Sequence, residues 1–579
     1  MSSYGNHNIK RRISLLKLMA IFAMFVLGGR LFFLQILRHD HYADLAKNQY
    51  YRQSELPAKR GKIYLKDKYS DDGKSVVAMN NTLDLLYAVP NEIKKKGDLG
   101  EAAEKLSPII GIPKDKILEM LSNSDHYVPL KHKLTDEESE KIGKLDVYGL
   151  VLVPESWRFW PEKSLLAQVL GFVNMDGKGQ YGLEQDFDKE LSGVPGKLKA
   201  ETDATGVRIA NGDNVLVSPK DGDDLVLTID KNIQANTEEV LKKAVESHKA
   251  DGGSVIVMDP YSGGIIAMAN YALKQEDVDL NNYQKITDYG FFDNKTLRQY
   301  EPGSIFKIIT MAAGLDSGKI KPEDTFEDKG QIVIDGHKIM NSDQKAHGIV
   351  SMSYILEQSL NLGTTYIMQK IGKEPFYEYI TNKFGFGTKA GIELSVEDEG
   401  YVSKPKDVND HAYASMSFGQ AITVTPLQIT AAMSAVANGG NLVRPRLIDS
   451  FVKEGKKDLK KQTETIKRVI SEEASRNLTT MMVSTVEKGH GKQAKVQGYK
   501  TAGKTGTAQV PDPKNGGYDQ SKTIGSFVGF APASNPRFVI FAKIDNPKDV
   551  IWAESTAAPV FHDIADNLLK YYQIPPDEK

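Results

Sequence analysis

Ser304 and Lys307 stand three residues apart in the segment Tyr300-Glu-Pro-Gly-Ser304-Ile-Phe-Lys307. Pro302 and Gly303 suit a turn into a helix, Ile308 to Leu315 suits the helix itself, and Gly318 suits its end. Residues at i and i+3 share a helix face, which sets the serine hydroxyl beside the lysine amine. A serine hydroxyl is a poor nucleophile, and a lysine whose pKa is lowered by burial and by other cations serves as its base without histidine. Backbone N–H groups at the helix start add donors for a developing oxyanion. The plain alternative is a helix-capping Ser304 beside a solvated Lys307, because Ser-x-x-Lys by itself is common in long chains.

Two more motifs follow. Ser359-Leu360-Asn361 comes after the helical run Met352 to Gln358, and Lys504-Thr505-Gly506-Thr507 lies in a strand-like segment that runs to Val510. Ser-x-x-Lys, Ser-x-Asn and Lys-Thr-Gly, in that order, form the active-site set of penicillin-binding proteins and serine β-lactamases. Around them the chain resembles the monofunctional (class B) penicillin-binding proteins. The resemblance is carried by Leu227-Thr-Ile-Asp230, Gly253-Ser-Val255 with Asp259-Pro260, Phe418-Gly-Gln420 with Thr425-Pro-Leu-Gln428, Ala502 to Gln509, and Ser526 to Pro532. Upstream, Arg60-Gly61, Arg158-Phe-Trp-Pro161, Ala167 to Gly171 and Gly182-Leu-Glu184 resemble that family's non-catalytic pedestal. Ile305 stands where the family often has threonine, and Tyr64-Leu-Lys-Asp67 replaces its usual turn after Arg60-Gly61.

The resemblance implies a peptidoglycan D,D-transpeptidase that works through an ester on Ser304. Lys307 then accepts the serine proton, and Ser359 with Lys504 relays a proton to the leaving D-alanine. Asn361 orients the donor stem peptide, and Thr505, Gly506 and Thr507 line its binding strand. The two threonines hold its terminal carboxylate, and the N–H groups of Ser304 and Thr507 form the oxyanion hole. Gly503 and Gly506 have a steric reason of their own, since substrate approaching a strand edge leaves no room for side chains. β-Lactams are the implied covalent inhibitors. The implied partners are lipid II-derived stem peptides, a SEDS-family glycosyltransferase, and other divisome or elongasome membrane proteins. Neither cofactor nor metal is implied. Phe418 to Gln420 and Ala502 to Gln509 favour the septal, division type over the elongation type.

The elements that must position these groups are legible as pattern. Leu225 to Ile229 reads as a strand and Lys231 to Lys249 as a helix. Ser254 to Asp259 and Gly264 to Met268 read as a hairpin closed by Pro260-Tyr-Ser-Gly263. Ile524 to Ala531 and Phe538 to Ile544 form a second antiparallel pair, followed by a helix from Ala557 to Tyr572. The expected fold is α+β: an N-terminal transmembrane helix, a mixed α/β pedestal, and a transpeptidase domain whose antiparallel sheet is flanked by helices and joined by an all-helical subdomain. A chain of 579 residues exceeds one ordinary core. The expected divisions are a cytoplasmic tail (1–12), an anchor (13–37), a pedestal of the dimerisation type (38–222) and the transpeptidase domain (223–579). The run Val194 to Asp224, rich in Gly, Asp, Asn and Lys, suits a linker or exposed loops between the last two.

Ile13 to Leu37 is almost continuously apolar, and at 1.5 Å per residue it crosses a hydrocarbon layer of ~30 Å. Lys10, Arg11, Arg12 and Lys17 crowd its start, so the positive-inside rule leaves a cytoplasmic N-terminus and exports the rest. Gly28-Gly-Arg-Leu31 is a poor cleavage site, which favours an uncleaved anchor over a signal peptide. A net charge of -2 gives no call for nucleic acid, and the absence of cysteine excludes disulfides and thiolate chemistry. Gly498 to Thr505 satisfies the phosphate-loop pattern and Gly177 to Gly182 the dinucleotide pattern, but neither has the flanking strand and helix those sites require. His39, His41, His411 and His490 lack companions at metal-ligand spacing. Tyr50-Tyr-Arg52 and Lys94 to Lys96 suit exposed faces. Two other functions remain open at this stage: a β-lactam hydrolase with the same serine chemistry, and a scaffold or sensor without turnover. No glycosyltransferase domain is recognisable upstream.

Overall fold

The apolar run is helical. Gly5–Phe32 forms one helix, continued by a π-helical turn at Phe33–Leu37. The span Arg11–Leu37 has a mean hydropathy of 2.0. Phe22, Met24 and Phe25 are each more than two-thirds exposed, so this helix is long and apolar enough to cross a bilayer and buries none of that surface in the protein. The guanidinium of Arg30 lies 5.8 Å from the ring centre of Phe33.

In the computed structural model, residues 5–42, 51–201, 214–273, 278–453, 458–511 and 517–577 are described. They fall into two units, 1–59 with 193–221 and 60–192 with 222–579. The first holds the N-terminal helix and a three-stranded antiparallel sheet in the order Tyr51–Leu56, Gly196–Glu201, Asn214–Val217. The stretch Val194 to Asp224, expected as loops, therefore contains two strands. Its composition is that of a loop, but the two strands pair with each other and the first also with Tyr51–Leu56, far away in sequence, where local pattern does not reach. Residues 202–213 of that stretch, Tyr50, Asp512 and Pro513 lie outside the described residues, as do residues 1–4 of the expected tail.

The second unit opens with a sheet that runs through the expected boundary near Asp223. Strand Asp224–Asp230 pairs in parallel with Ile63–Lys66 on one side and antiparallel with Ile448–Val452 on the other. Ile63–Lys66 continues to Lys74–Ala88, which pairs with Val128–Leu134 and Leu150–Phe159. The pedestal motifs converge beneath it. Arg60 Nε and Arg158 Nε each lie 2.7 Å from the fully buried carboxylate of Glu184, Arg60 Nη1 lies 2.7 Å from Asp188, and Arg158 Nη1 donates to the Gly61 carbonyl at 2.7 Å.

The catalytic core is a five-stranded antiparallel sheet of β1 (Gly252–Met258), β2 (Ile265–Ala272), β3 (Ala502–Pro511), β4 (Tyr518–Ala531) and β5 (Phe538–Asp545), in the order β2-β1-β5-β4-β3. Its helices are α1 (Lys231–Ser247), α2 (Lys307–Asp316), α3 (Asn361–Ile371), α4 (Pro426–Ala437), α5 (Glu472–Lys488) and α6 (Ala557–Tyr571). α1 and α6 cover one face through Ile233, Leu241, Phe561 and Ile564, while α2 to α5 pack the other around Phe306, Ile367, Met433 and Leu478. Burial on both faces explains why β1 and β5 read as unbroken apolar runs instead of alternating. The motif Thr425-Pro-Leu-Gln428 is a capping box with proline in the first turn, which fixes where α4 begins.

Candidate active site

Ser304 sits on a 3₁₀ turn, Gly303–Phe306, and α2 starts only at Lys307. The expected turn into a helix is present, and Gly303 enters it with a φ of +56°. Two glycines lock that turn. Gly303 N–H donates to the Gly419 carbonyl at 3.0 Å, and a Cβ on Gly419 would stand 2.0 Å from the Gly303 oxygen. Thr310 Oγ1 on α2 donates to the Ser417 carbonyl at 2.7 Å, so the turn and the helix rest on the same loop. A Cβ on Gly506 would meet Ile305 at 2.9 Å and the Pro302 carbonyl at 3.0 Å. The nucleophile turn is therefore pressed against β3, the edge strand that carries the Lys-Thr-Gly motif.

Lys307 is fully buried, and its Nζ donates to the Ser359 carbonyl at 2.5 Å and to Ser359 Oγ at 3.1 Å. Burial pushes its pKa well below the ordinary lysine value, and the neighbouring Lys504 charge pushes it further the same way. Lys504 is also fully buried. Its Nζ donates to the Thr505 carbonyl at 3.1 Å, and desolvation brings it down to about 7, opposed by the charge of Glu554. Neither lysine forms an ion pair among the described residues. Burial thus moves both amines toward the neutral form, in which an amine can accept a proton.

Ser359 is nearly buried, with a left-handed backbone at φ +55° that turns its hydroxyl toward Lys307. Asn361 opens α3, and its Nδ2 donates to the Met340 carbonyl at 2.8 Å. Thr505 and Gly506 are buried and Thr507 is half-buried on β3. The structure brings Lys307, Ser359 and Lys504 together and sets the Ser304 turn against the Lys504–Thr507 strand, while Asn361, two residues after Ser359, opens α3. The phosphate-loop reading of Gly498 to Thr505 meets strand β3 where a helix would be required.

Sequence reasoning missed several contributors. Gly419 was visible only within Phe418-Gly-Gln420, with no sign that it touches Gly303. Glu357 accepts from Ser484 Oγ at 2.5 Å behind the Ser359 loop. His490, noted in the sequence only for lacking a companion at metal-ligand spacing, pairs with Glu554 at 3.1 Å. A cavity of about 680 Å³ is lined by Asp230, Tyr261, Arg446 and Tyr572 and includes none of the cleft residues.

Two family descriptions match the chain: Penicillin binding protein transpeptidase domain over residues 253–566, and Penicillin-binding Protein dimerisation domain over 55–227. The chain is 32% identical over 543 residues to Stage V sporulation protein D of Bacillus subtilis, across 93% of this chain and 82% of that one. It is 30% identical over 577 residues to peptidoglycan D,D-transpeptidase FtsI of Buchnera aphidicola, across 98% and 96%. Among solved structures, a peptidoglycan synthetase from Bifidobacterium adolescentis superposes with a TM-score of 0.71 at 27% identity, covering 91% of this chain and 98% of that one. Penicillin binding protein 3 of Mycobacterium tuberculosis, complexed with aztreonam, does so with a TM-score of 0.68 at 26% identity, covering 90% and 98%.

Proposed function

The chain belongs to the class B penicillin-binding proteins, and from that premise we propose that its Ser304 cleft performs peptidoglycan D,D-transpeptidation. The protein is a penicillin-binding peptidoglycan D,D-transpeptidase of the class that includes the division enzymes. The observation that carries the assignment of roles is the buried Lys307 amine, bonded to Ser359 and held below its ordinary pKa.

In the acylation step neutral Lys307 takes the Ser304 proton as Oγ attacks the penultimate D-alanine carbonyl. The oxyanion that forms is met by the N–H groups of Ser304 and Thr507. The C–N bond then breaks. The leaving D-alanine nitrogen collects the proton that Lys307 took, relayed through Ser359 with Lys504 beside it, and the acyl group remains on Ser304 as an ester. An amine of a neighbouring stem peptide attacks that ester, gives its proton back through Lys307, and frees Ser304. Thr505 and Thr507 hold the donor carboxylate beside the Lys504 charge, with Gly506 leaving room for it. The Asn361 nitrogen is committed to Met340, so its side-chain oxygen is the atom on offer to a stem-peptide N–H. A β-lactam enters as the acyl donor and stays as the ester.

The N-terminal helix anchors the protein in the membrane. The cluster Arg11, Arg12 and Lys17 supports a single pass with a cytoplasmic N-terminus and an extracytoplasmic catalytic domain. The domain limits 1–12, 13–37, 38–222 and 223–579 follow that reading. A SEDS-type glycosyltransferase in the same membrane supplies the glycan strands, within the divisome or the elongasome.

The test is the intact mass of the protein after incubation with benzylpenicillin, beside Ser304→Ala. One adduct on the wild type and none on the variant is the expected result. An unmodified wild type with the drug intact would remove Ser304 from its role, and rapid loss of the drug without an adduct would make the protein a hydrolase.

A further inference from the structure

His490 and Glu554 join the two pieces of chain that carry Ser359 and Lys504. α5 ends at Lys488, and the next residue, Gly489, lies so close to Glu357 that a Cβ would stand 2.4 Å from its carbonyl oxygen. His490 N–H donates to that same Glu357 carbonyl at 3.2 Å, two positions before Ser359. On the other side, the 3₁₀ turn Ala553–Ser555 runs beside β3: Ala553 N–H donates to Thr507 Oγ1 at 3.3 Å. Gly525, the cross-strand partner of Thr507, leaves room for nothing between itself and Thr556, where a Cβ would meet Oγ1 at 2.5 Å. His490 Nδ1 and Glu554 Oε2, 3.1 Å apart, close the gap between these two supports.

We propose that Glu554, held in place by His490, is a positioning residue that acts on Lys504 and ties the Lys504 strand to the Ser359 loop. The inference rests on the role given to Lys504 above. The charges around Lys504 come from several elements. Lys307 faces it from α2, and Glu554 is the carboxylate that favours its ammonium form. Glu357 is turned to Ser484 behind the loop, and Lys543 on β5 is paired with Asp545 at 2.6 Å. The His490–Glu554 pair is half exposed, so the pair itself adds little to stability. Its influence on a fully buried ammonium is screened far less. Removing the carboxylate leaves burial unopposed, and Lys504 then loses its proton at lower pH.

The experiment is the rate of acylation by benzylpenicillin across pH, read as adduct mass against time, for the wild type, Glu554→Gln and Glu554→Asp. In Glu554→Gln the alkaline limb moves down by about half a pH unit or more, so acylation at pH 8 falls about threefold relative to pH 6; Glu554→Asp restores most of the shift. If Glu554→Gln does not fold, His490→Gln, which loosens the carboxylate without neutralising it, moves the same limb in the same direction by less. An unmoved alkaline limb, whether the rate is unchanged or lowered equally at every pH, overturns the inference. A wild type that forms no adduct at all overturns it by a different route, since the Ser304 reading falls first.

Discussion

Beneath the pedestal, Arg158 is buried with its guanidinium 2.7 Å from Glu184, and Arg60 shares the same carboxylate and that of Asp188. In the catalytic cleft, Lys307 and Lys504 are as deeply buried, yet their Nζ atoms meet carbonyl and hydroxyl oxygens and form no ion pair among the described residues. Burial lowers the pKa in both places, but Glu184 works against it at Arg158, whereas Lys504 works with it at Lys307. The first arrangement keeps its charges and uses them to hold Arg60-Gly61, Arg158 and the Glu184 helix together. The second pairs neither amine with a carboxylate, and burial pushes both toward the neutral form. Burial answered by a paired carboxylate preserves a charge; burial with little or no such answer moves an amine toward its neutral form.

The contrast is broken most severely at the base itself. Lys307→Met removes the proton acceptor and should slow acylation by benzylpenicillin about 10²- to 10⁴-fold. Its melting temperature should hold or rise, because an apolar chain replaces a buried amine. A variant that melts earlier and acylates normally would place Lys307 with the structural cations. Glu184→Ala should do the reverse. It strands the Arg158 guanidinium beside Arg60, which keeps only Asp188, and should cost about 3–5 kcal/mol of unfolding free energy in a denaturant titration, while the protein that remains folded acylates at the wild-type rate. The smallest effect is in the pH dependence of stability. Lys504 is at about 7 when folded, against 10.5 for an ordinary lysine, so the unfolded chain binds more protons between those values. Stability therefore rises with pH across that window, and its slope in a melting series should flatten in Lys504→Met.

Much of the cleft was legible because its groups come in short motifs: Ser304 and Lys307 three apart, Ser359 and Asn361 two apart, Lys504 to Thr507 contiguous. The membrane helix, the β1–β2 hairpin, the β4–β5 pair and α6 were legible because each carries its own periodicity. What escaped depends on chain segments meeting from afar. Nothing near Gly419 announces that it will support Gly303, and nothing near His490 announces Glu554. The two strands within Val194 to Asp224 take their partners from each other and from Tyr51–Leu56, so a loop-like composition concealed them. The 3₁₀ geometry under Ser304 follows from the positive φ of Gly303, which the sequence permits without requiring.

Strand Asp224–Asp230 is hydrogen-bonded to the pedestal along one edge and to the catalytic domain along the other. The seam between the two regions thus lies inside one sheet, with a register shift after Val226 on both of its edges. A chain built this way joins residues 60–192 to the region that carries Ser304 through a shared sheet as well as through the run of the backbone.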